Sequence, residues 1–137
     1  MTQGTGALSH LRVLDLSRIL AGPWATQMLG DLGADIIKVE RPVSGDDTRG
    51  WGPPFADAMT GDATTDAAAR SAYFCSVNRN KRSLAIDITS ADGAAILREL
   101  IPHCDVMVEN FKVGGLAKYG LDLSLIHISE PTRPLYI

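Results

Sequence analysis

Positive charge is concentrated in one short segment of this chain, which is the first candidate for chemistry. The segment is Asn78–Ser83 (NRNKRS), where Arg79, Lys81 and Arg82 supply three cations within four consecutive residues. Cations placed directly ahead of a strand can hold an anion such as a phosphate, and a guanidinium does so with two parallel hydrogen bonds. A solvated surface loop has the same composition. The cluster therefore indicates either an anion site or a charged surface.

Two further candidates follow apolar runs. The turn Ser17–Pro23 (SRILAGP) comes after one run, and the charged pair Glu40–Arg41 comes after the next. A dinucleotide-binding turn needs the glycine pattern GxGxxG so that the backbone can approach a diphosphate. Only Gly22 fits that pattern here. A nicotinamide-dependent oxidoreductase is therefore disfavoured. Such enzymes typically have an acidic residue at the end of the second strand, where Glu40 lies in this sequence. Packing of a strand against a helix is the other interpretation of this turn.

A predicted strand–helix–strand unit over Val13–Arg41 positions these candidates. Val13–Leu16 is a short apolar strand, Pro23 opens a helix, Gly33 ends it, and Asp35–Val39 is the second strand. Two strands joined by a helix are parallel, and ligands bind beyond the carboxyl ends of parallel strands. The helix presents apolar residues at helical spacing: Trp24, Met28, Leu29 and Leu32.

A second unit follows later in the chain. Ser83–Ile88 predicts a third strand, Thr89–Ser90 caps a helix that ends near Pro102, and Asp105–Glu109 predicts a fourth strand. The helix has one apolar stripe: Ala94, Leu97, Leu100 and Ile101. The sequence thus predicts an α/β fold with a Rossmann-like parallel sheet built from βαβ units. The expected sheet core is Val13–Leu16, Ile36–Val39, Leu84–Ile88 and Val106–Val108.

Other segments lack such periodicity. We expect residues 1–7 to be flexible, Pro42–Phe55 to be a loop rich in glycine and proline, and residues 56–71 to be a flexible linker. Residues 123–137 (LSLIHISEPTRPLYI) resemble a translated sequencing adapter and are treated as a non-native tail. Residues 8–122 are then the expected domain, and the chain is expected to be the front part of a longer protein.

Composition limits the function classes. A length of 137 residues fits one domain, and 13 basic against 16 acidic residues give a net charge of −3, so neither nucleic acid nor a membrane is expected as a partner. No signal peptide is evident, so we expect a cytoplasmic protein in which Cys75 and Cys104 are reduced and mostly buried. His10, His103 and His127 have no metal-ligand spacing, so no metal site is expected.

Four sequence blocks resemble the class III (CaiB/BaiF) CoA-transferases, the family of formyl-CoA transferase and carnitine CoA-transferase. They are LDLSRILAGPWATQMLGDLGADIIKVE, GDDTRGWGPPF, NRNKRS and VENF, and with GGLAKYGL they cover Leu8 to about Asp122. The resemblance implies transfer of CoA between carboxylic acids, and it is strongest to the succinate–hydroxymethylglutarate branch, which uses dicarboxylates. Related 2-methylacyl-CoA racemases tend to show GKRS and EPF. Asn80 and Asn110 favour a transferase, with a racemase as the alternative.

The same resemblance implies a set of coenzyme-binding residues. Thr89 stands where some relatives have lysine, and Lys118 stands where arginine is common. Coenzyme A or acyl-CoA enters as a substrate, and no permanently bound cofactor is expected. The implied contacts are Ile19, Leu20, Ala21, Arg41, Lys81, Ile86, Asp87, Ile88, Thr89, Asn110, Phe111, Lys112 and Lys118.

In the resembled family an aspartate attacks the acyl-CoA thioester, and a mixed anhydride and then an enzyme thioester follow. The matching segment is expected beyond this chain, whereas Asp15, Asp87 and Asp105 are expected to be structural. We therefore assign no catalytic residue. The complete family member is an interlocked homodimer, which is not expected for this chain. The alternative function is a non-catalytic fragment that binds CoA or a nucleotide.

Overall fold

The computed structural model describes residues 6–56 and 70–122, which form an α/β layer around a four-stranded parallel sheet. The strand order is β3-β2-β1-β4, and all three strand pairs are parallel. The predicted fold class is therefore confirmed.

The strands are β1 (Arg12–Asp15), β2 (Asp35–Glu40), β3 (Lys81–Ala85) and β4 (Val106–Val108). The helices are α1 (Ala21–Asp31), α2 (Ala72–Asn78) and α3 (Ala91–Leu100), with 3-10 turns at Asp47–Gly50, Ile101–His103 and Ala117–Tyr119.

The first strand–helix–strand unit is as predicted. In its parallel register Val13 pairs with Ile36, and Leu14 pairs with Ile37. Helix α1 begins two residues before Pro23, which therefore lies in the first turn, where its missing N–H breaks no helical hydrogen bond. The chain leaves the helix through Gly33, whose φ of +104° suits glycine.

The third strand begins earlier than the sequence predicts. It covers Lys81–Ala85 rather than Ser83–Ile88, although the N–H of Ile86 still donates to the carbonyl of Glu40 at 2.9 Å. The alternation of Leu84, Ile86 and Ile88 therefore reports burial beyond the end of the strand. The cationic start of the strand is accommodated because acidic side chains elsewhere in the fold neutralise it.

Helix α2 was not predicted, because its seven residues are too few to show a clear periodicity. Ser71 begins it: its hydroxyl accepts from the N–H of Phe74 at 2.9 Å and donates to the carbonyl of Thr48 at 2.5 Å. Most of the linker predicted over residues 56–71, all of the tail predicted over 123–137, and most of the N-terminal segment 1–7 lie outside the described residues.

Helix α3 follows the prediction closely. The hydroxyl of Ser90 accepts from the N–H of Gly93 at 3.0 Å, Asp92 lies in the first turn, and Leu97 is fully buried. Pro102 falls in the 3-10 turn that follows.

Neighbouring residues of β1 serve opposite faces of the sheet. On one face, Val13 packs with Ala34, Ile36 and the α1 residue Leu29. On the other face, Leu14 belongs to a larger hydrophobic cluster that includes Leu97 of α3. Burial on both faces is expected of a parallel sheet. The buried members of the larger cluster are Leu14, Leu16, Val39, Ile86, Leu97, Leu116 and Leu121.

The four apolar residues that indicated α1 do not form a buried stripe. Trp24, Met28 and Leu32 are each more than half exposed, whereas Leu29 packs against the sheet. Among the described residues, no helix is long and apolar enough to cross a membrane.

Candidate functional site

An open cleft lies at the carboxyl ends of the strands. It is the sheet edge at which the sequence places the ligand, because residues that follow all four strands contribute to it. Four of the predicted coenzyme contacts lie in its wall: Arg41, Ile86, Ile88 and Phe111. The lining residues are Leu16, Arg18, Val39, Glu40, Arg41, Gly45, Asp46, Ile86, Ile88 and Phe111.

The cleft combines an apolar wall with cationic side chains. Ile86, Ile88 and Phe111 are on the wall, whereas Arg18 and Arg41 bring guanidinium groups. An apolar cleft with a few placed polar groups is the usual form of a small-molecule site. These walls suit a ligand that joins an apolar or planar part to an anionic part.

The two arginines converge on one carboxylate. Arg18 Nη1 lies 3.1 Å from Oδ2 of Asp47, and Arg41 Nη2 contacts Oδ1 of the same residue. The guanidinium of Arg18 also lies over the Phe111 ring, 5.8 Å from its centroid. Arg18 and Asp47 were not predicted as site residues. The available signal for Arg18 was its position directly after the first strand and Ser17.

Asn110 connects the ends of β4 and β1. Its side-chain oxygen accepts from the N–H of Arg18 at 3.0 Å, and its amide nitrogen donates to the Arg18 carbonyl at 2.7 Å. The predicted residue Asn110 therefore fixes the backbone of Arg18 at the edge of the cleft.

Ile19 and Leu20, within the predicted turn Ser17–Pro23, connect β1 to α1 on the surface, and Ala21 is the first residue of α1. Ile19 has a φ of +74°, which is unusual for a β-branched residue and is the kind of local strain found at binding turns. Its N–H donates to Oδ2 of Asp46 at 3.4 Å. Leu20 is the N-cap residue of α1, and its side chain makes no capping hydrogen bond.

A layer of buried charge supports the cleft. Arg49 holds Glu40 through both oxygens, at 2.6 and 2.8 Å, and lies 3.9 Å from the centroid of the Phe74 ring. Lys38 Nζ lies 2.9 Å from Oδ2 of Asp46, and the two side chains are 1% and 0% exposed. These two ion pairs hold the loop that contains Asp46 and Arg49 against the end of β2.

Both acids of this layer have a lowered pKa. Burial raises the pKa of Glu40, but hydrogen bonds from Arg49 and Ser83 outweigh that effect and hold it below its usual value. For Asp46, burial again raises the pKa, and contacts from Thr48 and Lys38 bring it lower. Both carboxylates are thus held in the charged form.

Lys81 does not line the cleft. Its side chain is 2% exposed, and Nζ donates to Asp15 at 3.0 Å, to the Pro23 carbonyl at 2.7 Å and to Asn78 at 3.0 Å. Burial lowers the pKa of Lys81 to about 8, and the neighbouring Asp15 only partly offsets this. In this structure the lysine holds β3 to the end of β1 and the start of α1.

Asp15 is structural, as predicted. It is fully buried, and its carboxylate accepts from Lys81, from the N–H and the hydroxyl of Ser17, and from Thr26 Oγ1 at 2.6 Å.

The remaining predicted contacts are outside the residues that line the cleft. Asp87 accepts from the N–H and the hydroxyl of Thr89, and these hydrogen bonds lower its pKa. Lys112 is exposed, and the ammonium of Lys118 lies 4.7 Å from the centroid of the Tyr119 ring.

Possible metal ligands are dispersed over the part of the chain that the structure describes. No group of three or more histidine, cysteine or acidic residues there is placed to hold a metal ion. The expected burial of both cysteines is wrong for Cys75, which is exposed, whereas Cys104 is half-buried and burial raises the pKa of its thiol.

Comparison of the sequence with models of known protein families shows which family the chain belongs to. The profile of CoA-transferase family III matches residues 8–131. The chain belongs to CoA-transferase family III. The family match starts at the predicted residue 8 and extends past residue 122, where the predicted domain ends.

Several proteins similar to this chain are named as CoA-transferases. The chain is 50% identical to succinate–glutarate CoA-transferase of Agrobacterium fabrum over 90% of its own length and 30% of that protein. It is 46% identical to succinyl-CoA:mesaconate CoA-transferase of Haloarcula hispanica over 92% of its own length and 30% of that protein. The chain thus spans about a third of the length of these relatives.

A solved family structure has the same fold. The crystal structure of a CaiB/BaiF family protein from Brucella suis superposes with a TM-score of 0.80 at 49% identity. The match covers 90% of this chain and 30% of that one.

Proposed function

We propose that this chain is the coenzyme-A-binding N-terminal part of a CoA-transferase that moves CoA between dicarboxylic acids. The observation that carries the proposal is the cleft at the carboxyl ends of the strands, where the apolar wall meets Arg18 and Arg41. Membership of CoA-transferase family III supports it, and the two relatives above are named for succinate, glutarate and mesaconate.

The chemistry that we propose for the complete enzyme is the one that the family resemblance implies. A carboxylate outside residues 8–122 attacks the acyl-CoA thioester, which forms a mixed anhydride and releases CoA as a thiolate. The thiolate attacks the enzyme carbonyl of the anhydride, which releases the first acid and leaves an enzyme thioester. The second acid takes CoA from that thioester by the reverse steps. Splitting one difficult transfer into easier covalent steps is the general gain of nucleophilic catalysis. The proposed role of this chain is to bind and orient the coenzyme.

The test is binding of coenzyme A to the chain, measured by isothermal titration calorimetry. Arg41→Ala is expected to weaken binding by about ten- to a hundredfold, because one charge-assisted phosphate contact contributes about 1.5–3 kcal/mol. In full-length enzyme the same loss of uniform binding raises KM more than it lowers kcat.

Arg82→Ala is the matched control. Arg82 is an exposed arginine that pairs with an aspartate, Asp35, and it lies at the amino end of the sheet. The control should bind coenzyme A as the wild type does. Equal weakening by both variants, or full affinity in Arg41→Ala, would contradict the proposed site.

A further inference from the structure

We propose that Asp47 occupies the anion site of the cleft in the free protein and that a phosphate group of the coenzyme displaces it. The inference rests on the proposed function and deepens it by assigning Arg18 as a second arginine of that site. Arg18, Arg41 and Asp47 are called the arginine–aspartate site below. It joins the end of β1, the end of β2 and the loop that follows β2.

The geometry of the arginine–aspartate site is that of a bound oxyanion. Each oxygen of the Asp47 carboxylate accepts from a different guanidinium, at 3.1 Å from Arg18 and in close contact with Arg41. Guanidinium groups bind carboxylates and phosphates with the same planar arrangement of N–H donors. A phosphate placed there would meet both guanidinium groups.

The site is open to solvent, so its occupant can exchange. The side chains of Arg18, Arg41 and Asp47 are 42%, 51% and 37% exposed. Exposed ion pairs contribute little to stability, so a ligand with more negative charge can replace the aspartate at small cost.

The fold does not depend on the Asp47 carboxylate, because its neighbour anchors the same loop. Asp46 is buried, accepts from the N–H of Thr48 at 3.0 Å and lies 2.9 Å from Lys38 Nζ. Releasing Asp47 would therefore leave the loop attached to β2.

Neighbouring groups favour the diphosphate of a nucleotide-containing ligand. Phe111 lies under the Arg18 guanidinium, and the apolar wall of Ile86 and Ile88 continues from it. A diphosphate carries enough negative oxygens to engage both arginines while the rest of the ligand contacts the wall.

The main experiment compares Asp47→Asn with Asp35→Asn in calorimetric titrations with coenzyme A and with pantetheine, which lacks phosphate. Asp35 is the matched control, because it also lies between two arginines, 3.0 Å from Arg12 and 2.7 Å from Arg82, at the other end of β2. Asp47→Asn should tighten coenzyme A binding by about three- to tenfold, since the competing carboxylate is gone. Asp35→Asn should leave that affinity within about twofold, and pantetheine binding should be unchanged in both.

Two outcomes of these titrations overturn the proposal. The first is unchanged or weaker coenzyme A binding by Asp47→Asn, which would make the aspartate a positioning residue for the arginines. The second is equal tightening by Asp35→Asn, which would be a general effect of net charge. Arg18→Gln must also weaken coenzyme A binding, and wild-type affinity in that variant counts against the assigned role.

A second readout separates this inference from the proposed function. Inorganic pyrophosphate is titrated into the chain while the arginine Nε–H resonances are followed by NMR. Selective shifts at Arg18 and Arg41, with Arg12 and Arg82 unmoved, support displacement even if coenzyme A does not bind. Coenzyme A binding that leaves the Arg18 and Arg41 resonances unmoved would keep the proposed function and overturn the inference.

Discussion

At the scale of single residues, Gly22 shows how the turn after β1 depends on the absence of a side chain. A Cβ built at this position would lie 2.3 Å from both Cβ and Oγ of Ser17. Ser17 is fully buried, and Asp15 accepts hydrogen bonds from its N–H and its hydroxyl, so it has little freedom to move away. Helix α1 can therefore approach the end of β1 only with glycine here.

Gly22→Ala is expected to destabilise the protein. Overpacking a tight contact costs about 1–3 kcal/mol, and the better helix propensity of alanine returns at most about 1 kcal/mol. The measurement is the free energy of unfolding from urea titration. Gly50→Ala is the control, because a Cβ there meets nothing within 4 Å. If the two variants are equally stable, the close contact with Ser17 does not constrain the turn.

At the scale of elements, the buried pair Lys81–Asp15 joins β3 to β1 and α1. The three N–H donors of the ammonium meet three acceptors, which are Asp15, the Pro23 carbonyl and Asn78. Burial nevertheless lowers the pKa of Lys81 from 10.5 to about 8, so the charged form is less favourable in the folded state than in the unfolded one.

This shift makes the free energy of unfolding change with pH in the alkaline range. Between about pH 8 and pH 10.5 the unfolded chain holds more protons at Lys81 than the folded chain does. The contribution of this residue to the free energy of unfolding therefore rises with pH, by at most about 1.4 kcal/mol per pH unit. Lys81→Met should lack that rise.

The check is urea unfolding from pH 7 to pH 10.5 for the wild type, for Lys81→Met and for the exposed control Lys118→Met. The control should follow the wild-type profile. A wild-type profile parallel to that of Lys81→Met would show that burial does not shift the lysine.

At the scale of the whole molecule, charge is placed between the sheet and the cleft. Glu40 and Asp46 are buried at the carboxyl end of β2, and each has a cation beside it, Arg49 and Lys38 respectively. Truncating one partner of such a pair leaves an uncompensated charge, so the layer constrains the sequence around the site.

The layer predicts sensitivity to acid. The folded-state pKa of Glu40 lies below its unfolded value of 4.5. Its stabilising contribution is therefore complete above about pH 4.5 and is lost as pH falls through the folded-state pKa.

Glu40→Gln should lower the free energy of unfolding at pH 7 and flatten its decline between about pH 5 and pH 3. Unfolding followed by circular dichroism across this range tests it, with the exposed Glu99→Gln as control. If the free energy of unfolding of Glu40→Gln falls with pH as steeply as that of the wild type, Glu40 does not cause the sensitivity to acid.

The amino-acid sequence alone determined the local pieces: β1, α1 and β2, the cap of α3 at Ser90, and the end of the sheet at which Arg41 lies. These follow from interactions within a few residues, such as helical periodicity, capping and the obligatory parallel connection. The family resemblance suggested the ligand that we propose for this end of the sheet, coenzyme A.

Tertiary structure decided what depends on residues far apart in the chain. Lys81 was predicted as a ligand contact, but its ammonium is buried and donates to Asp15, 66 residues away in the chain. Because this ion pair neutralises Lys81, the strand β3 can begin with a charged residue. Arg18 meets Asp47 across 29 residues, and no local pattern indicates that pairing. Periodicity records which residues prefer burial, whereas the partner of a buried or bridging charge is fixed only when strands and loops from distant segments are brought together.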